Sequence, residues 1–268
     1  MAKRDQSSTR LSREDRQARI LAMLGREGAV RIVTLAKAFR VTTETARRDL
    51  DELGARGALI RTYGGGASRS LTDEPAIGER TQTRSEARRK IAARAAALVE
   101  AGDVVMIDCG STTGIFAQAL ALRNIPMTVI TNGFPVAMAL GAAAKCRVIV
   151  CPGTYVDHER GVYGPNTIEF IGCFNANKTF IGAGGLTPDG ATDADSLGCA
   201  VKRAMIERAD RTILLLDSEK FGAIQFERAC ALADIDDVVS EAAPPRPLAA
   251  HLRAAGVRVV VAKDQDGN

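Results

Sequence analysis

The stretch that most constrains the fold is residues 42–50, which read Thr-Thr-Glu-Thr-Ala-Arg-Arg-Asp-Leu. A short apolar helical pattern precedes it at Leu35, Ala36 and Phe39. Together these patterns predict a helix, a tight turn and a second helix that carries two adjacent arginines. Thr42 is the expected N-cap of the second helix, because its hydroxyl can accept a hydrogen bond from an N–H group of the first turn.

The flanking sequence completes a small domain around this pattern. We expect its helices at 12–25, 33–39 and 43–56, because apolar residues recur there at helical spacing and glycines follow the first and third. A short apolar strand at 58–63 leads into Gly64-Gly65-Gly66. A strand followed by glycines is typical of a hairpin, so the segment is interpreted as the wing of a winged helix-turn-helix.

The character of the chain changes after a polar segment. We predict a winged helix-turn-helix domain at 12–66, a linker at 67–84 and an α/β domain at 85–262. Short apolar strands are expected at 104–107, 127–131, 147–151, 178–182, 212–217 and 257–262. Helices are expected at 85–99, 113–122, 134–143, 166–174, 198–209 and 247–254. This alternation predicts a mainly parallel sheet with helices on both faces.

Basic residues are concentrated near the N-terminus. Residues 1–61 contain 14 Lys and Arg against 8 Asp and Glu, whereas the remainder contains 22 against 24. A basic N-terminal segment joined to a near-neutral remainder favours a polyanionic partner for that segment. The alternative is a solvated arginine-rich surface. The chain has no Trp and 4% aromatic residues. Because single strands and RNA are bound largely by stacking on aromatic side chains, the expected partner is double-stranded DNA.

Six cysteines occur without a Cys-x-x-Cys pair. This spacing disfavours a zinc site or a disulfide framework, and we expect mostly buried thiols in a reducing cytoplasm. The N-terminus has no apolar stretch after its first charges, and no apolar run approaches the ~20 residues of a membrane span. We therefore expect a cytoplasmic protein that requires no metal or cofactor.

The candidate DNA-reading residues lie on the predicted third helix and at the wing. Arg47 can form a bidentate contact with guanine, and Thr43 can contact a base or a phosphate. Arg48 and Arg61 are better placed to hold phosphates, which set register. The full predicted set is Thr42, Thr43, Glu44, Thr45, Arg47, Arg48 and Arg61. The alternative is a small helical bundle with an exposed charged helix.

A second candidate site follows the strand at 104–107. The polar sequence from Gly110 to Gly114 leads into a helix, and exposed N–H groups at a helix start together with hydroxyls can hold an anion. The alternative is a plain strand–helix turn capped by Ser and Thr. Other polar groups and glycines fall where strands are expected to end, around one crevice. The predicted effector-binding residues are Asp108, Gly110, Ser111, Thr112, Thr113, Thr131, Asn132, Gly153, Gly184, Gly185, Lys202, Asp217 and Lys220.

Two weaker preferences accompany this prediction. Lys220 is favoured over Lys202, because it directly follows a strand end. Asp193 and Asp195 can accept sugar hydroxyls, with a polar loop and a helix cap as the alternative.

These motifs resemble one family along most of the chain. The pattern Thr42-x-x-Thr45-x-Arg47-Arg48-Asp49-Leu50-x-x-Leu53, with Arg61 and Gly64-Gly65-Gly66 after it, resembles the N-terminal signature of the DeoR family of bacterial transcriptional regulators. Further segments resemble that family's effector domain. They are Asp108-x-Gly110-Ser111-Thr112-Thr113, Thr131-Asn132, Gly182-x-Gly184-Gly185, Lys202-Arg203-Ala204-Met205 and Asp217-Ser218-x-Lys220-Phe221-Gly222.

The resemblance implies an N-terminal winged helix-turn-helix domain joined to a mainly parallel α/β domain similar to ribose-5-phosphate isomerase. It implies a repressor more often than an activator, a phosphorylated sugar or related metabolite as effector, and a dimer or tetramer. The chain departs from the family at Ser196-Leu197-Gly198-Cys199, where an acidic residue is usual before Lys202-Arg203. This departure affects how the sugar end of a ligand is held.

Two other functions are compatible with the sequence. A sugar-phosphate isomerase with an accessory DNA-binding head would turn over a substrate such as ribose 5-phosphate, but it needs a positioned general base. A nucleoid-type protein would bind random DNA and operator DNA equally well at fixed salt.

Overall fold

The structure is a computed structural model that describes residues 11–262 except 28, 57, 68–75 and 83. The chain divides into two units, with the boundary between Ser70 and Leu71.

The smaller unit has three helices and a three-stranded antiparallel sheet in the order β1-β3-β2. Its elements are α1 (Arg13–Glu27), β1 (Ala29–Arg31), α2 (Ile32–Phe39), α3 (Thr43–Ala55), β2 (Ile60–Thr62) and β3 (Gly65–Ala67). The predicted helix-turn-helix and wing are therefore confirmed, and β1 is an additional strand that pairs with the wing. A side chain at Gly65 would meet the Val30 carbonyl oxygen at 1.9 Å, so the close pairing of β1 with β3 requires glycine there.

Apolar side chains of the three helices form the core of this unit, and Ile20, Leu35 and Leu50 are fully buried. A buried ion pair also joins α1 to α3. Arg16 Nη2 donates to Asp49 Oδ1 at 2.9 Å, and the two side chains are 10% and 3% exposed. These contacts fix the orientation of α3.

The larger unit is an α/β domain. Its helices are α4 (Ile77–Gln82), α5 (Ser85–Ala96), α6 (Ser111–Ala121), α7 (Phe134–Gly141), α8 (Pro165–Gly172), α9 (Ser196–Glu207) and α10 (Arg246–Ala254). Its strands are β4 (Val104–Ile107), β5 (Met127–Thr131), β6 (Cys146–Val150), β7 (Thr154–Val156), β8 (Gly161–Tyr163), β9 (Lys178–Gly182), β10 (Gly185–Thr187), β11 (Gly190–Asp193), β12 (Thr212–Leu215), β13 (Glu227–Cys230), β14 (Asp237–Ser240) and β15 (Arg258–Val261).

Seven strands of the described chain form one parallel sheet in the order β15-β14-β12-β9-β4-β5-β6. From β4 the sheet continues through β5 and β6 on one side, and from β9 it continues through β12, β14 and β15 on the other. Ligands of such sheets bind beyond the carboxyl ends of the strands at the point where the order reverses, which here lies between β4 and β9. The predicted mainly parallel α/β fold is confirmed.

Smaller elements surround the carboxyl edge of this sheet. Strands β10, β11 and β13 form an antiparallel sheet, and β7 pairs with β8 in a hairpin. The sequence analysis missed these strands and β14, because each has at most two consecutive apolar residues, whereas the equally short β4 has four. Such short segments give little periodic signal, and their pairing partners are distant in the sequence.

The predicted linker at 67–84 differs from the structure in its second half. Ile77–Gln82 forms α4, and Ile77 is 3% exposed in a cluster with Met106 and Ile130. The Ile77 amide also donates to the His158 carbonyl at 2.9 Å. A single buried isoleucine among polar residues determines this helix, and no periodic pattern marks it. Residues 68–75 and 83 of the predicted linker lie outside the described residues.

Two further properties bear on the expectations above. Across the described residues, none of the helices is both long and apolar enough to cross a membrane. All six cysteines are described and carry free thiols. Four of them are buried, whereas Cys146 is partly exposed and Cys173 is exposed.

Candidate functional site: a DNA-reading helix and an anion pocket

The N-terminal half of α3 presents a polar, exposed face. Thr43, Glu44, Arg47 and Arg48 are exposed, whereas Ala46 is 1% exposed and faces the core. Arg47 Nη1 lies 3.0 Å from Glu44 Oε2, and both side chains are more than half exposed. An exposed pair of this kind contributes little stability, so it does not prevent Arg47 from bonding elsewhere. The face therefore has the size and chemistry that suit a major groove.

The other predicted DNA-contacting residues make bonds within the smaller unit. Thr42 Oγ1 accepts a hydrogen bond from the Thr45 amide at 3.1 Å and lies 2.9 Å from Thr45 Oγ1. Arg61 Nε donates to Asp51 Oδ1 at 2.7 Å, and its guanidinium also donates to the Gly65 carbonyl. Thr42 and Thr45 thus stabilise the start of α3, and Arg61 holds the wing against it.

A polar pocket lies in the larger unit where β4 and β9 end. Its volume is about 30 Å³. The residues that line it are Arg80, Asp108, Cys109, Gly110, Ser111, Thr112, Glu159, Tyr163, Gly182, Ala183, Asp193, Asp195, Gly198, Lys202 and Lys220. The start of α6 contributes Ser111 and Thr112, whose N–H groups belong to the helix turn that has no intrahelical acceptors. The pocket therefore occupies the position at which parallel sheets bind ligands.

A buried cluster of three ionisable groups forms the floor of the pocket. Lys202 Nζ lies 3.1 Å from Asp108 Oδ2 and 2.9 Å from Asp193 Oδ2. Asp108 also accepts the Gly182 amide at 3.2 Å, which ties the ends of β4 and β9 together. One ammonium faces two carboxylates, so the cluster carries an excess negative charge when all three groups are ionised.

Burial and charge act against each other on these groups. Burial alone would lower the pKa of Lys202, but the charges of Asp193 and Asp108 outweigh it and raise that pKa well above its ordinary value. Burial alone would raise the pKa of Asp193, but the charge and hydrogen bond of Lys202 lower it. At Asp108 burial dominates, and its pKa is raised despite Lys202. The ammonium is therefore held charged, and Asp108 is the carboxylate that gains a proton more readily.

Two further cations lie at the pocket. Arg80, on α4, forms an ion pair with Glu159 in the turn between β7 and β8. Lys220 Nζ donates to the Ala183 carbonyl at 2.6 Å. Lys202 is held between two carboxylates, whereas Arg80 pairs with the single carboxylate of Glu159 and Lys220 bonds to a carbonyl. Arg80 and Lys220 are therefore the cations better suited to an incoming anion.

Six of the thirteen predicted effector-binding residues line the pocket, and they are Asp108, Gly110, Ser111, Thr112, Lys202 and Lys220. The other seven do not line it. Thr113, Thr131 and Asn132 are buried and bond to the backbone. Asp217 is buried and lies near Arg84 and Arg88, at 3.8 and 3.6 Å.

The remaining three predicted residues are glycines that permit close packing. A Cβ at Gly153 would lie 2.2 Å from Thr167 Oγ1. A Cβ at Gly184 would lie 2.6 Å from the Gln225 side chain, and one at Gly185 would lie 2.1 Å from the Ala223 carbonyl. These residues do not line the pocket, and their assignment as effector contacts stays a prediction. Position at a strand end brings a residue to the right edge of the sheet but does not decide whether it faces the ligand or the packed loops.

The sequence analysis missed several pocket residues. Arg80 was assigned to the linker, and Glu159 and Tyr163 belong to a hairpin that was not predicted. Gly198 lines the pocket, and a Cβ there would lie 3.5 Å from Lys202 Nζ. The glycine therefore leaves this wall without a side chain. Asp195 lines the pocket and also caps α9, because its carboxylate accepts the Leu197 and Gly198 amides at 3.2 and 3.0 Å.

Comparison with known proteins gives consistent results in both units. The family described as the DeoR C terminal sensor domain matches residues 83–242, and the DeoR-like helix-turn-helix domain matches residues 16–72. The chain is 31% identical to an uncharacterized HTH-type transcriptional regulator, YulB, of Bacillus subtilis (strain 168), over 85% of this chain and 88% of that protein. It is 30% identical to the HTH-type transcriptional repressor GlcR of the same organism, over 95% of this chain and 98% of that protein.

A further relative is the glycerol-3-phosphate regulon repressor of Escherichia coli (strain K12), which is 30% identical over 84% of this chain and 90% of that protein. Among solved structures, ribose 5-phosphate isomerase A from Methanocaldococcus jannaschii is similar with a TM-score of 0.39 and 16% identity, over 52% of this chain and 55% of that chain. The family matches and the relatives agree: the chain belongs to the DeoR family of DNA-binding transcriptional regulators.

Proposed function

We propose that the protein is a sequence-specific repressor of carbohydrate metabolism genes that a phosphorylated sugar or related metabolite releases from its operator. The observation that carries the proposal is the combination of an exposed arginine-bearing helix with a separate pocket that contains hydroxyls, helix N–H groups and three cations. The glycerol-3-phosphate regulon repressor supports an effector of this class. The relatives are transcriptional regulators, and none of those named supports the isomerase alternative.

In the proposed DNA complex, α3 enters the major groove with its N-terminal half against the base edges. Arg47 reads a guanine through two parallel hydrogen bonds, and Thr43 and Glu44 contact neighbouring bases or phosphates. Arg48 supplies a phosphate contact that sets register. Thr42, Thr45 and Arg61 contribute by fixing the helix and the wing.

In the proposed effector complex, the phosphate lies at the start of α6 against Ser111 and Thr112, with Arg80 or Lys220 as the counter-charge. The sugar hydroxyls donate to the carboxylates of Asp193 and Asp195. Gly198 leaves room at this end of the pocket. The predicted residues that are packed away from the pocket support the loops that shape it.

We further propose that the protein acts as a dimer or tetramer. Helix-turn-helix proteins usually bind two half-sites about one helical turn apart, and a second head provides this contact. The effector then acts by favouring one arrangement of the heads over another by a few kcal/mol.

The DNA-reading assignment is tested by replacing Arg47 with Ala. A duplex selected from a random pool by the wild-type protein serves as the operator. We expect Arg47→Ala to cost about 1–3 kcal/mol on this duplex and to relax its preference at one base pair. Arg19→Ala is the matched control, because Arg19 is an exposed arginine on α1 and its removal changes the net charge equally. Unchanged affinity and selectivity of the Arg47 variant in a gel-shift titration would exclude Arg47 as a reader.

The pocket assignment is tested by a thermal-shift screen of phosphorylated sugars, polyol phosphates and sugar acids. A ligand that binds only the native state raises its stability by about 2.7 kcal/mol at a hundred times its dissociation constant. The Ser111→Ala/Thr112→Ala double variant should bind the selected duplex normally but fail to respond to the metabolite that releases the wild type. Release of this variant at the wild-type concentration would remove the phosphate assignment.

A further inference from the structure

The effector pocket is too small for the ligand that it is proposed to bind. Its volume of about 30 Å³ is enough for about one or two water molecules, since one water needs at least ~10–15 Å³. A phosphorylated sugar is several times larger. A ligand of this size fills the pocket and presses against the groups that line it.

The lining groups differ in how firmly they are held. Asp108 and Gly182 lie at the ends of central strands and are joined by hydrogen bonds of 3.2 Å. Arg80 and Glu159 lie on small elements, the six-residue helix α4 and the turn between β7 and β8. The ion pair of these two residues crosses the pocket wall, and each side chain is 12% exposed. Helix α4 and the turn between β7 and β8 are therefore the elements that a ligand can displace.

Helix α4 is tied to the turn by its backbone as well as by this ion pair. The Ile77 amide donates to the His158 carbonyl at 2.9 Å, and Ile77 packs in the same apolar cluster as Val162 of β8. A change in the Arg80–Glu159 pair is therefore a change in how α4 docks on the hairpin.

A second set of contacts connects α4 with Lys220, which also lines the pocket. Arg88 donates to the Arg80 carbonyl, and Arg88 Nη2 lies 3.6 Å from Asp217 Oδ2. Asp217 immediately precedes the 3₁₀ turn Ser218–Lys220, which places Lys220 at the pocket. Both candidate anion-binding cations are thus linked to α4.

We propose that Arg80 binds the anionic group of the effector, and that α4 conveys pocket occupancy to the DNA-binding unit. This inference rests on the proposed effector function and describes how binding at that same site affects the DNA-binding unit. A phosphate attracts the Arg80 guanidinium into a bidentate contact and leaves Glu159 facing an anion. The repulsion weakens the docking of α4 on the hairpin turn.

The position of α4 in the chain explains how its displacement reaches the DNA-binding unit. Residues 68–76 alone separate β3 of the wing from the start of α4. A displacement of α4 therefore moves the point from which the chain leads into the DNA-binding unit. Occupancy lowers operator affinity through this attachment.

The inference is tested in the full-length protein with Arg80→Gln and Glu159→Gln. The probe is whichever of ribose 5-phosphate, fructose 6-phosphate, glucose 6-phosphate and glycerol 3-phosphate most raises the wild-type Tm. The readouts are the probe concentration that releases half of the selected duplex and the hydrogen exchange of the α4 amides. Arg89→Gln is the matched control, because Arg89 is an exposed arginine on α5 whose guanidinium bonds to Ser85.

We expect Arg80→Gln to raise the half-release concentration at least about tenfold, because a charge-assisted bond to the anion is lost. Glu159→Gln should lower it about fivefold, because the carboxylate no longer competes for Arg80. The probe should increase α4 exchange in the wild type and in Arg89→Gln but not in Arg80→Gln. If Arg80→Gln fails to fold, Arg80→Lys keeps the charge without the planar fork and should shift release in the same direction.

Half-release concentrations within twofold of the wild type for both variants would overturn the inference. Normal release by Arg80→Gln at saturating probe, with α4 exchange unchanged in every protein, would also overturn it. A wild-type protein that selects no duplex and is stabilised by no probe contradicts the proposed function instead, so the two failures are distinguishable.

Discussion

Each unit contains a buried cluster of ionised groups, and the two clusters differ in their balance of charge. In the smaller unit, Arg16 and Asp49 pair one to one, with side chains 10% and 3% exposed. In the larger unit, Lys202 lies between Asp108 and Asp193, at 3.1 and 2.9 Å. The first arrangement is balanced in charge, whereas the second has a carboxylate in excess and opens onto a pocket.

This difference separates a structural role from a binding role. A balanced pair of buried charges satisfies itself and fixes α1 against α3, which keeps the exposed polar face of α3 in place. An unbalanced cluster with cations nearby can change its partners when a ligand or a proton arrives. The charges that we propose to bind DNA are exposed on α3. Those that we propose to bind the effector, Arg80 and Lys220, line the same pocket as the unbalanced cluster, and Arg80 pairs there with Glu159.

The substitution with the largest expected effect on this comparison is Lys202→Met. The substitution leaves Asp108 and Asp193 buried without their counter-ion, and we expect the free energy of unfolding of the larger unit to fall by about 5 kcal/mol. Lys220→Met is the matched control, because Lys220 is partly exposed and its charged bond to the Ala183 carbonyl is worth about 1.5 kcal/mol, the low end for such bonds. Urea unfolding followed by circular dichroism measures both. Equal losses in the two variants would mean that the cluster is not held together by Lys202.

The balanced pair is tested by Arg16→Met and by the double variant Arg16→Met/Asp49→Leu. Removing Arg16 alone leaves a buried carboxylate and should cost the smaller unit about 3 kcal/mol. The double variant should recover most of this loss, because two apolar side chains can replace a balanced pair. The measurement is hydrogen exchange of the α3 amides. A double variant as unstable as the single one would show that Asp49 does more than neutralise Arg16.

A third test uses pH and concerns the larger unit alone, since all six cysteines lie there. Burial raises the pKa of Cys109, Cys151 and Cys199 from 9.0 to about 12. The folded state therefore holds these protons more tightly than the unfolded state, and stability is lost as pH rises from 9 towards 12. Each thiol adds a slope of about 1.4 kcal/mol per pH unit in this range.

We expect Cys151→Ala to reduce the slope of the unfolding free energy against pH by the contribution of one thiol, ~1.4 kcal/mol per pH unit. Urea unfolding at about pH 9 to 11 measures this slope. Cys173→Ala serves as the control, because Cys173 is exposed. The smaller unit should show no thiol-dependent slope. A slope that Cys151→Ala leaves unchanged would contradict the role of its burial.

Much of the fold could be predicted because it is encoded by neighbouring residues. The helix-turn-helix follows from apolar spacing and the Thr42 cap, and the cap is present, with the Thr45 amide bonded to Thr42 Oγ1 at 3.1 Å. The pocket at the end of β4 could be located because a strand, a polar loop and a helix follow one another directly. The strand Asp237–Ser240 could not be predicted, because its two apolar residues are flanked by polar ones and give no strand pattern, whereas all four residues of Val104–Ile107 are apolar.

The sequence by itself determined the class of each unit and the position of the exposed polar face of α3, since both depend on patterns within one or two turns of chain. Only the tertiary structure decided which side chains meet at the pocket. Arg80 and Glu159 are 79 residues apart, and their contact exists because β8 pairs with β7 and Ile77 is buried beside them. Contacts between distant residues depend on how the sheet and its loops pack, and no local periodicity records that packing.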